Sequence, residues 1–156
     1  MSQSAQTEDQ YPSPLIGWMT VAVLFVLYIL SFTDRNIMAF LIEPIKRDFE
    51  LSDFQISLLM GPAFGFVYSV CALPIGYFLD RYGRRIVLYL SVTLWSLAAA
   101  GCGLSPNVAT LVGARALLGA GEAGFSTGAY SLIGDSFPPN RLPLAMSIFA
   151  MGGGMG

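Results

Sequence analysis

The stretch GYFLDRYGRR, residues 76–85, is a short polar break between two long apolar runs, and it decides how the chain is organised. A bilayer core about 30 Å thick needs roughly 20 apolar residues per helix, and the runs on both sides of the break meet that length. By the positive-inside rule, a short connector rich in arginine stays in the cytoplasm. The stretch therefore predicts two membrane helices joined by a cytoplasmic turn, whose polar residues and glycines are Gly76, Asp80, Arg81, Gly83, Arg84 and Arg85.

The composition as a whole is that of a membrane protein. Hydrophobic residues make up 54% of the 156 residues, charged residues only 12%, and there is no histidine. A net charge of −2 without any basic run excludes the electrostatic pattern of a nucleic-acid-binding protein. The two cysteines, Cys71 and Cys102, lie in apolar stretches and are interpreted as packing residues. No motif predicts a cofactor or a metal site.

The apolar pattern predicts an all-α, polytopic fold with four membrane spans and the beginning of a fifth. Pro62 and Pro74 lie inside the second span, where membrane helices tolerate proline with a kink. The fifth span stops within an apolar run, so the chain is expected to be the N-terminal part of a longer protein. The predicted segments are a cytoplasmic tail, 1–13, and spans 14–42, 53–79, 86–104, 106–134 and 143–156.

Local signals mark where the spans begin. Ser13 and Pro14 form an N-cap followed by proline at the first helical position. Ser52 and Gln55 have the spacing of a capping box, and Ser105 is predicted to cap the fourth span. Pro44 is expected to lie beyond the first span.

The connector charges predict the orientation of the chain. Lys46 and Arg47 lie on one side of the membrane, against four arginines on the other. This difference predicts a cytoplasmic N-terminus. The protein is expected in the inner (plasma) membrane. The four arginines are Arg81, Arg84, Arg85 and Arg141.

Four charged residues lie within the spans: Asp34, Arg35, Arg115 and Glu122. A charge at membrane depth costs at least about 2.5–3.5 kcal/mol, so such residues normally face a bundle interior or a wet cavity. Arg115 and Glu122 are seven residues apart and share one helical face, about 10 Å apart. Asp34 and Arg115 are expected at similar depth. One interpretation is a static ion pair; the other is proton coupling, in which a changing acid–arginine contact takes up or releases a proton.

The sequence GAGEAG, residues 119–124, also matches the phosphate-binding fingerprint of dinucleotide-binding enzymes. That fingerprint requires a preceding strand, whereas VATLVGARALL continues a helical pattern with an arginine where a strand core would be. An enzyme is therefore not predicted. The glycines are interpreted as close helix contacts, with Gly121 leaving room on the cavity side. The predicted packing glycines are Gly61, Gly65, Gly119, Gly124 and Gly128.

The connector resembles the loop between helices 2 and 3 of the major facilitator superfamily, Gly-x-x-x-Asp-Arg-x-Gly-Arg-Arg. In that family the loop latches the two halves of the transporter and helps gate the switch between its inward-facing and outward-facing states. RALLGAGEAG resembles the family's helix 4 pattern, and SFTDRN with GEAGFSTGAYSLIGDSF resembles the spinster-like branch, whose animal members export sphingosine phosphate or lysophospholipids. The resemblance implies a twelve-helix fold and a polar cavity centre formed by the four intramembrane charges.

The intramembrane charges and the resemblance together predict a proton-coupled secondary transporter for an amphipathic lipid or organic anion. The alternative is a sugar-acid or carboxylate symporter in which Arg115 binds the substrate carboxylate, because organic-anion symporters share an arginine and a Gly-Glu-Ala in helix 4. A different class is a membrane fragment that does not transport. The expected partners are the lipid bilayer, protons, a small-molecule or lipid substrate and the C-terminal half of the same transporter.

Overall fold

The computed structural model describes residues 11–155, apart from the side chain of Ala63. Most of the predicted tail, residues 1–10, and the final residue, Gly156, lie outside this part of the chain. Between residues 11 and 155 the regular elements are all helices, with no strand, so GAGEAG lies inside a helix as its context predicted. The helices are α1 Pro14–Phe40, α2 Ile42–Asp48, α3 Asp53–Met60, α4 Pro62–Tyr82, α5 Arg84–Gly103, α6 Val108–Ser136 and α7 Leu142–Met155.

Three helical segments are long and apolar enough to cross a membrane among the residues described: α1, α3 together with α4, and α5. The fourth predicted span corresponds to α6, whose 29 residues are long enough. It does not satisfy the same apolar criterion, since Arg115, Glu122 and its glycines lower the mean hydropathy. α7 is apolar but shorter.

The second predicted span is broken rather than kinked at its first proline. α3 ends at Met60 and α4 begins at Pro62, with Gly61 between them at φ −105° and ψ −77°. Pro62 occupies the first turn of α4, where its missing N–H leaves no bond unmade. Pro74 lies within α4, which continues through it to Tyr82.

The helix starts agree with the sequence signals in one place and differ in another. The capping box is confirmed: Gln55 N donates to Ser52 Oγ over 3.3 Å, and Ser52 N donates to Gln55 Oε1 over 2.9 Å. Ser105 was the wrong cap for α6, because its hydroxyl donates to the carbonyl of Gly101 at the end of α5 (2.7 Å). Asn107 caps α6, accepting from Thr110 N over 3.0 Å.

The connector after α1 contains a helix of its own, α2. Pro44 therefore lies in the first turn of α2, where no intrahelical N–H is needed. Lys46, near the end of α2, pairs with Asp53 at the start of α3. The hydrogen bond and the charge of Asp53 hold the pKa of Lys46 above its ordinary value of 10.5, so this lysine keeps its charge well into the alkaline range.

The described chain divides into two compact units, residues 11–33 with 129–155, and residues 34–128. The first unit is packed by aromatic side chains and small residues. Trp18 meets the ring of Phe137 edge-on at 5.0 Å, and Tyr28 stacks on Phe149 at 4.7 Å. A Cβ on Gly152 would lie 3.1 Å from the Phe25 carbonyl oxygen. All four intramembrane charges belong to the second unit.

Candidate functional site

Glycines of α6 bring it into backbone contact with two neighbouring helices. A Cβ on Gly121 would lie 2.7 Å from the backbone nitrogen of Trp95 on α5, and one on Gly119 would lie 2.9 Å from the Phe64 carbonyl oxygen on α4. One on Gly124 would lie 2.9 Å from Ser91 Cβ. Separations below 3.0 Å leave no room for a side chain, so these glycines fix where the helices cross.

Two sequence-based expectations for glycines differ from this arrangement. Gly121 was expected to leave room on a cavity side, and that was wrong, because a Cβ there would lie 2.7 Å from the backbone nitrogen of Trp95 on α5. Gly61 and Gly65 were expected in a close helix contact. Gly61 meets only Ser57 O of its own segment, and no neighbour lies within 4 Å of the Cβ position of Gly65. Gly61 instead separates α3 from α4.

The acid of α6 is bound by the arginine of α1. Glu122 is completely buried, and its Oε2 accepts from Arg35 Nε at 2.7 Å and lies 2.5 Å from Arg35 Nη2. The Arg35 side chain is 33% exposed. Two donors on one carboxylate oxygen form a charge-assisted contact, which is stronger than a neutral hydrogen bond. Sequence spacing put Glu122 on one wall with Arg115, but its partner comes from another helix.

The acid of α1 has a neutral partner. Trp95 Nε1 on α5 donates to Asp34 Oδ2 over 2.8 Å. Asp34 and Arg35 are consecutive on a helix and point about 100° apart, so they reach different neighbours. Asp34 and Arg115, which were expected at similar depth, form no ion pair with each other among the described residues.

Arg115 is the buried cation of the site. It is 3% exposed, forms no ion pair within residues 11–155, and its Nε has no hydrogen-bond partner there. Its guanidinium lies 5.7 Å from the ring centroid of Phe64, and Arg35 lies 5.0 Å from the same ring and 5.4 Å from that of Tyr68. Phe64 therefore contributes a cation–π contact to both arginines. A buried guanidinium with spare donors is suited to bind an anion.

The connector of the opening stretch forms a tight turn between α4 and α5. Gly83 adopts φ 85° and ψ 135°, a conformation that side chains disfavour. Arg81 Nη1 donates to the hydroxyl of Tyr77 over 2.9 Å. Asp80 is exposed and makes no hydrogen bond or ion pair with any described residue, although Arg81 and Arg84 were candidates. No atom within 4 Å restricts Gly76.

Sequence reasoning missed the aromatic part of the site: Trp95, Phe64 and Tyr68. Trp95 could have been found, because a tryptophan in the middle of a membrane span must place its N–H on an acceptor. Phe64 and Tyr68 lie four residues apart on one face of α4 and stack at 5.9 Å. They are ordinary apolar residues of a span, with no local sign of a guanidinium above them.

A family model of the major facilitator superfamily matches residues 24–156. The chain belongs to the major facilitator superfamily. It is 31% identical to Protein spinster of Drosophila melanogaster over 89% of this chain and 24% of that protein. It is 30% identical to the sphingosine-1-phosphate transporter SPNS2 of Xenopus tropicalis over 99% of this chain and 31% of that protein, and 25% identical to a D-galactonate transporter of Escherichia coli over 86% and 31%.

Solved structures agree with the superfamily fold. A bacterial homologue of the human lysosomal transporter Spinster, inward-facing and unoccupied, gives a TM-score of 0.87 at 33% identity, over 92% of this chain and 30% of that one. Its inward-facing, occupied form gives 0.85. The chain thus spans about a quarter to a third of the length of these relatives. It is an all-α portion of an integral, multi-pass major facilitator protein, most like the spinster-like branch.

Proposed function

We propose that the chain belongs to a proton-coupled secondary transporter for an amphipathic lipid or organic anion. One observation supports this above the others: Arg115 is buried, lacks an ion-pair partner among the described residues, and holds a free Nε donor. A buried charge is expensive unless something compensates it. An anionic group of the substrate would supply that compensation when it binds.

Proton coupling is supported by the two buried or half-buried acids. Glu122 is held by an arginine of another helix and Asp34 by a neutral donor, so the two carboxylates respond differently to the same movement of α1. A conformational change that separates Arg35 from Glu122 would leave a carboxylate without its counter-charge, which favours proton uptake. The sequence has no histidine that could take this role.

The relatives support the substrate class that we propose. Similarity to spinster proteins, including a sphingosine-1-phosphate transporter, favours a lipid with an anionic head group. The second candidate is a sugar acid. It is favoured by similarity to a D-galactonate transporter and because one carboxylate would compensate the charge of Arg115. Both classes carry the anion that Arg115 would bind.

The orientation and the gating role of the connector complete the proposal. The arginines of residues 76–85 favour a cytoplasmic N-terminus in the inner (plasma) membrane. Asp80 is exposed at the surface of the chain, as a latch residue for the C-terminal half would be. The alternative to this proposal is a membrane fragment that does not transport.

The proposal is tested with the complete transporter reconstituted in proteoliposomes. Uptake of a labelled lysolipid and of a labelled sugar acid is measured with and without an inward proton gradient. Asp34→Asn and Glu122→Gln should lower gradient-driven uptake to the level seen without a gradient. Arg115→Gln should weaken substrate binding by at least about tenfold, which corresponds to 1.4 kcal/mol.

The matched control is Asp53→Asn, which removes an acid of the exposed pair with Lys46. It should leave gradient-driven uptake at the wild-type level. Wild-type dependence on the gradient in both acid variants would contradict proton coupling. Absence of uptake of either substrate by the folded wild-type transporter would favour a protein that does not transport.

A further inference from the structure

Trp95 links the acid of α1 to the crossing of α5 and α6, and no sequence motif gives it a role. We propose that Trp95 is a positioning residue, which holds the Asp34 carboxylate against α5 and keeps it out of direct pairing with the arginines. The inference rests on the proposed function, because the placement of Asp34 matters for transport only if this acid takes part in proton coupling.

The indole is fixed from two directions. Trp95 is 4% exposed, and its backbone nitrogen lies 2.7 Å from where a Cβ on Gly121 of α6 would be. Its ring lies 5.8 Å from that of Phe125 on α6. The donor atom Nε1 therefore has a defined position, 2.8 Å from Asp34 Oδ2. Asp34 lies on a different helix, α1, so this hydrogen bond fixes the position of its carboxylate relative to α5.

The chemistry of the indole suits this role. Its N–H donates but does not accept a hydrogen bond. It bonds more strongly to an ionised carboxylate than to a neutral acid, so the contact responds to the proton on Asp34. The indole is also uncharged and does not bind a proton. A neutral donor thus holds Asp34 without taking up the proton that the transporter would carry.

The charged and titratable groups around Asp34 show what Trp95 prevents. They are Arg35 on α1, Arg115 and Glu122 on α6, and Cys102 on α5, which form one electrostatic neighbourhood. Arg35 is bound to Glu122, and Arg115 is not ion-paired among the described residues. If Asp34 turned to Arg115, the site would become two acid–arginine pairs. That arrangement is static and leaves no guanidinium for a substrate.

The experiment uses Trp95→Phe in the complete transporter in proteoliposomes. This change keeps an aromatic ring beside Phe125 but removes the donor. We expect the pH profile of proton-driven uptake to move to higher pH, because the ionised carboxylate loses a hydrogen bond. Maximal uptake should fall severalfold, and the affinity for substrate should fall as Arg115 becomes paired.

The chain offers a matched control in Trp18→Phe. Trp18 packs edge-on against Phe137 and makes no hydrogen bond within the described residues. The same substitution there should leave the pH profile unchanged. If Trp95→Phe does not fold, the isosteric analogue in which sulfur replaces the indole N–H removes the donor while keeping the shape.

A spectroscopic readout separates positioning from packing. The indole N–H vibration of Trp95, taken as the difference between wild type and Trp95→Phe, should indicate a strong hydrogen bond at neutral pH. The hydrogen bond should weaken on acidification, and Asp34→Ala should abolish it. An indole signal that ignores both pH and Asp34→Ala would overturn the inference.

The two proposals fail in different ways. If Asp34→Asn and Glu122→Gln both keep wild-type proton coupling, the proposed function fails and the inference falls with it. If Asp34→Asn alone keeps wild-type coupling, only the inference is overturned. If Asp34→Asn loses coupling while Trp95→Phe and the sulfur analogue keep the wild-type pH profile, only the role of Trp95 is overturned.

Discussion

At the scale of single residues, the site depends on which side chain each charge meets. Glu122 is wholly buried and is stabilised by a cation from another helix. Removing one partner of a buried pair leaves an uncompensated charge, whereas removing both can be nearly neutral. The loss of stability on each substitution therefore depends mainly on whether a buried charge is left without its partner.

A double-mutant cycle tests this at Arg35 and Glu122. Arg35→Gln should destabilise the folded transporter by about 3 kcal/mol, the lower end of the range for a broken buried pair, because the arginine is one-third exposed. Adding Glu122→Gln should restore most of the stability. The measurement is thermal unfolding in detergent at pH 7. Additive losses in the double variant would contradict the pairing.

The pair of Lys46 and Asp53 provides the control for that cycle. It lies at the surface between α2 and α3, where solvent screens the charges. Lys46→Gln and Asp53→Asn should each change the unfolding temperature little. A large effect there would mean that the unfolding signal does not separate buried from exposed pairs.

At the scale of the helices, glycines of α6 decide how closely it approaches α4 and α5. Gly119, Gly121 and Gly124 each have a neighbour where a side chain would begin, whereas Gly113 and Gly134 have open space. Small residues at such positions let membrane helices pack in the absence of a hydrophobic driving force between them. The packing glycines predicted on this helix, Gly119, Gly124 and Gly128, did not include Gly121.

Alanine substitutions on α6 test the difference. Gly121→Ala should destabilise the protein by about 1–3 kcal/mol through overpacking, since its Cβ would overlap the backbone of Trp95. Gly113→Ala on the same helix should be neutral or stabilising by up to about 1 kcal/mol, because alanine favours the helix more than glycine does. Thermal unfolding measures both, and equal effects of the two variants would refute the close contact.

At the scale of the molecule, this chain supplies one part of a major facilitator fold. The share of the relatives that it covers is about a quarter to a third. Many transporters of this kind move their halves as rigid bodies around a central site. We propose that the turn at Gly83, with its exposed Asp80, is a place where one rigid body contacts another in the complete transporter.

The gating prediction belongs to this scale. Asp80→Asn in the complete transporter should leave substrate binding unchanged and reduce the transport rate severalfold, because the carboxylate would stabilise one conformation without touching the substrate. Binding and initial uptake rate are measured side by side. Asp53→Asn, which removes an exposed carboxylate elsewhere on the chain, is the control for a general loss of negative charge. Unchanged turnover in Asp80→Asn would count against a latch.

Features that depend on one helix could be predicted from the sequence, whereas contacts between helices could not. The sequence alone determined the all-α membrane class, the capping box at Ser52 and the presence of four charges within long helices. Each depends on residues within one helix or on composition, because hydropathy, capping and charge cost are local properties. Ser105 failed as a cap because Asn107, two residues later, offered the better-placed acceptor.

Only the tertiary structure decided the partners of those charges. Arg35 and Glu122 are 87 residues apart, and Asp34 and Trp95 are 61 apart. Which pairs meet depends on the rotation and crossing of α1, α5 and α6, and these follow from backbone contacts such as that of Gly121 with Trp95. Helical spacing fixes the face on which a charge lies, but the neighbour on that face comes from packing between distant segments.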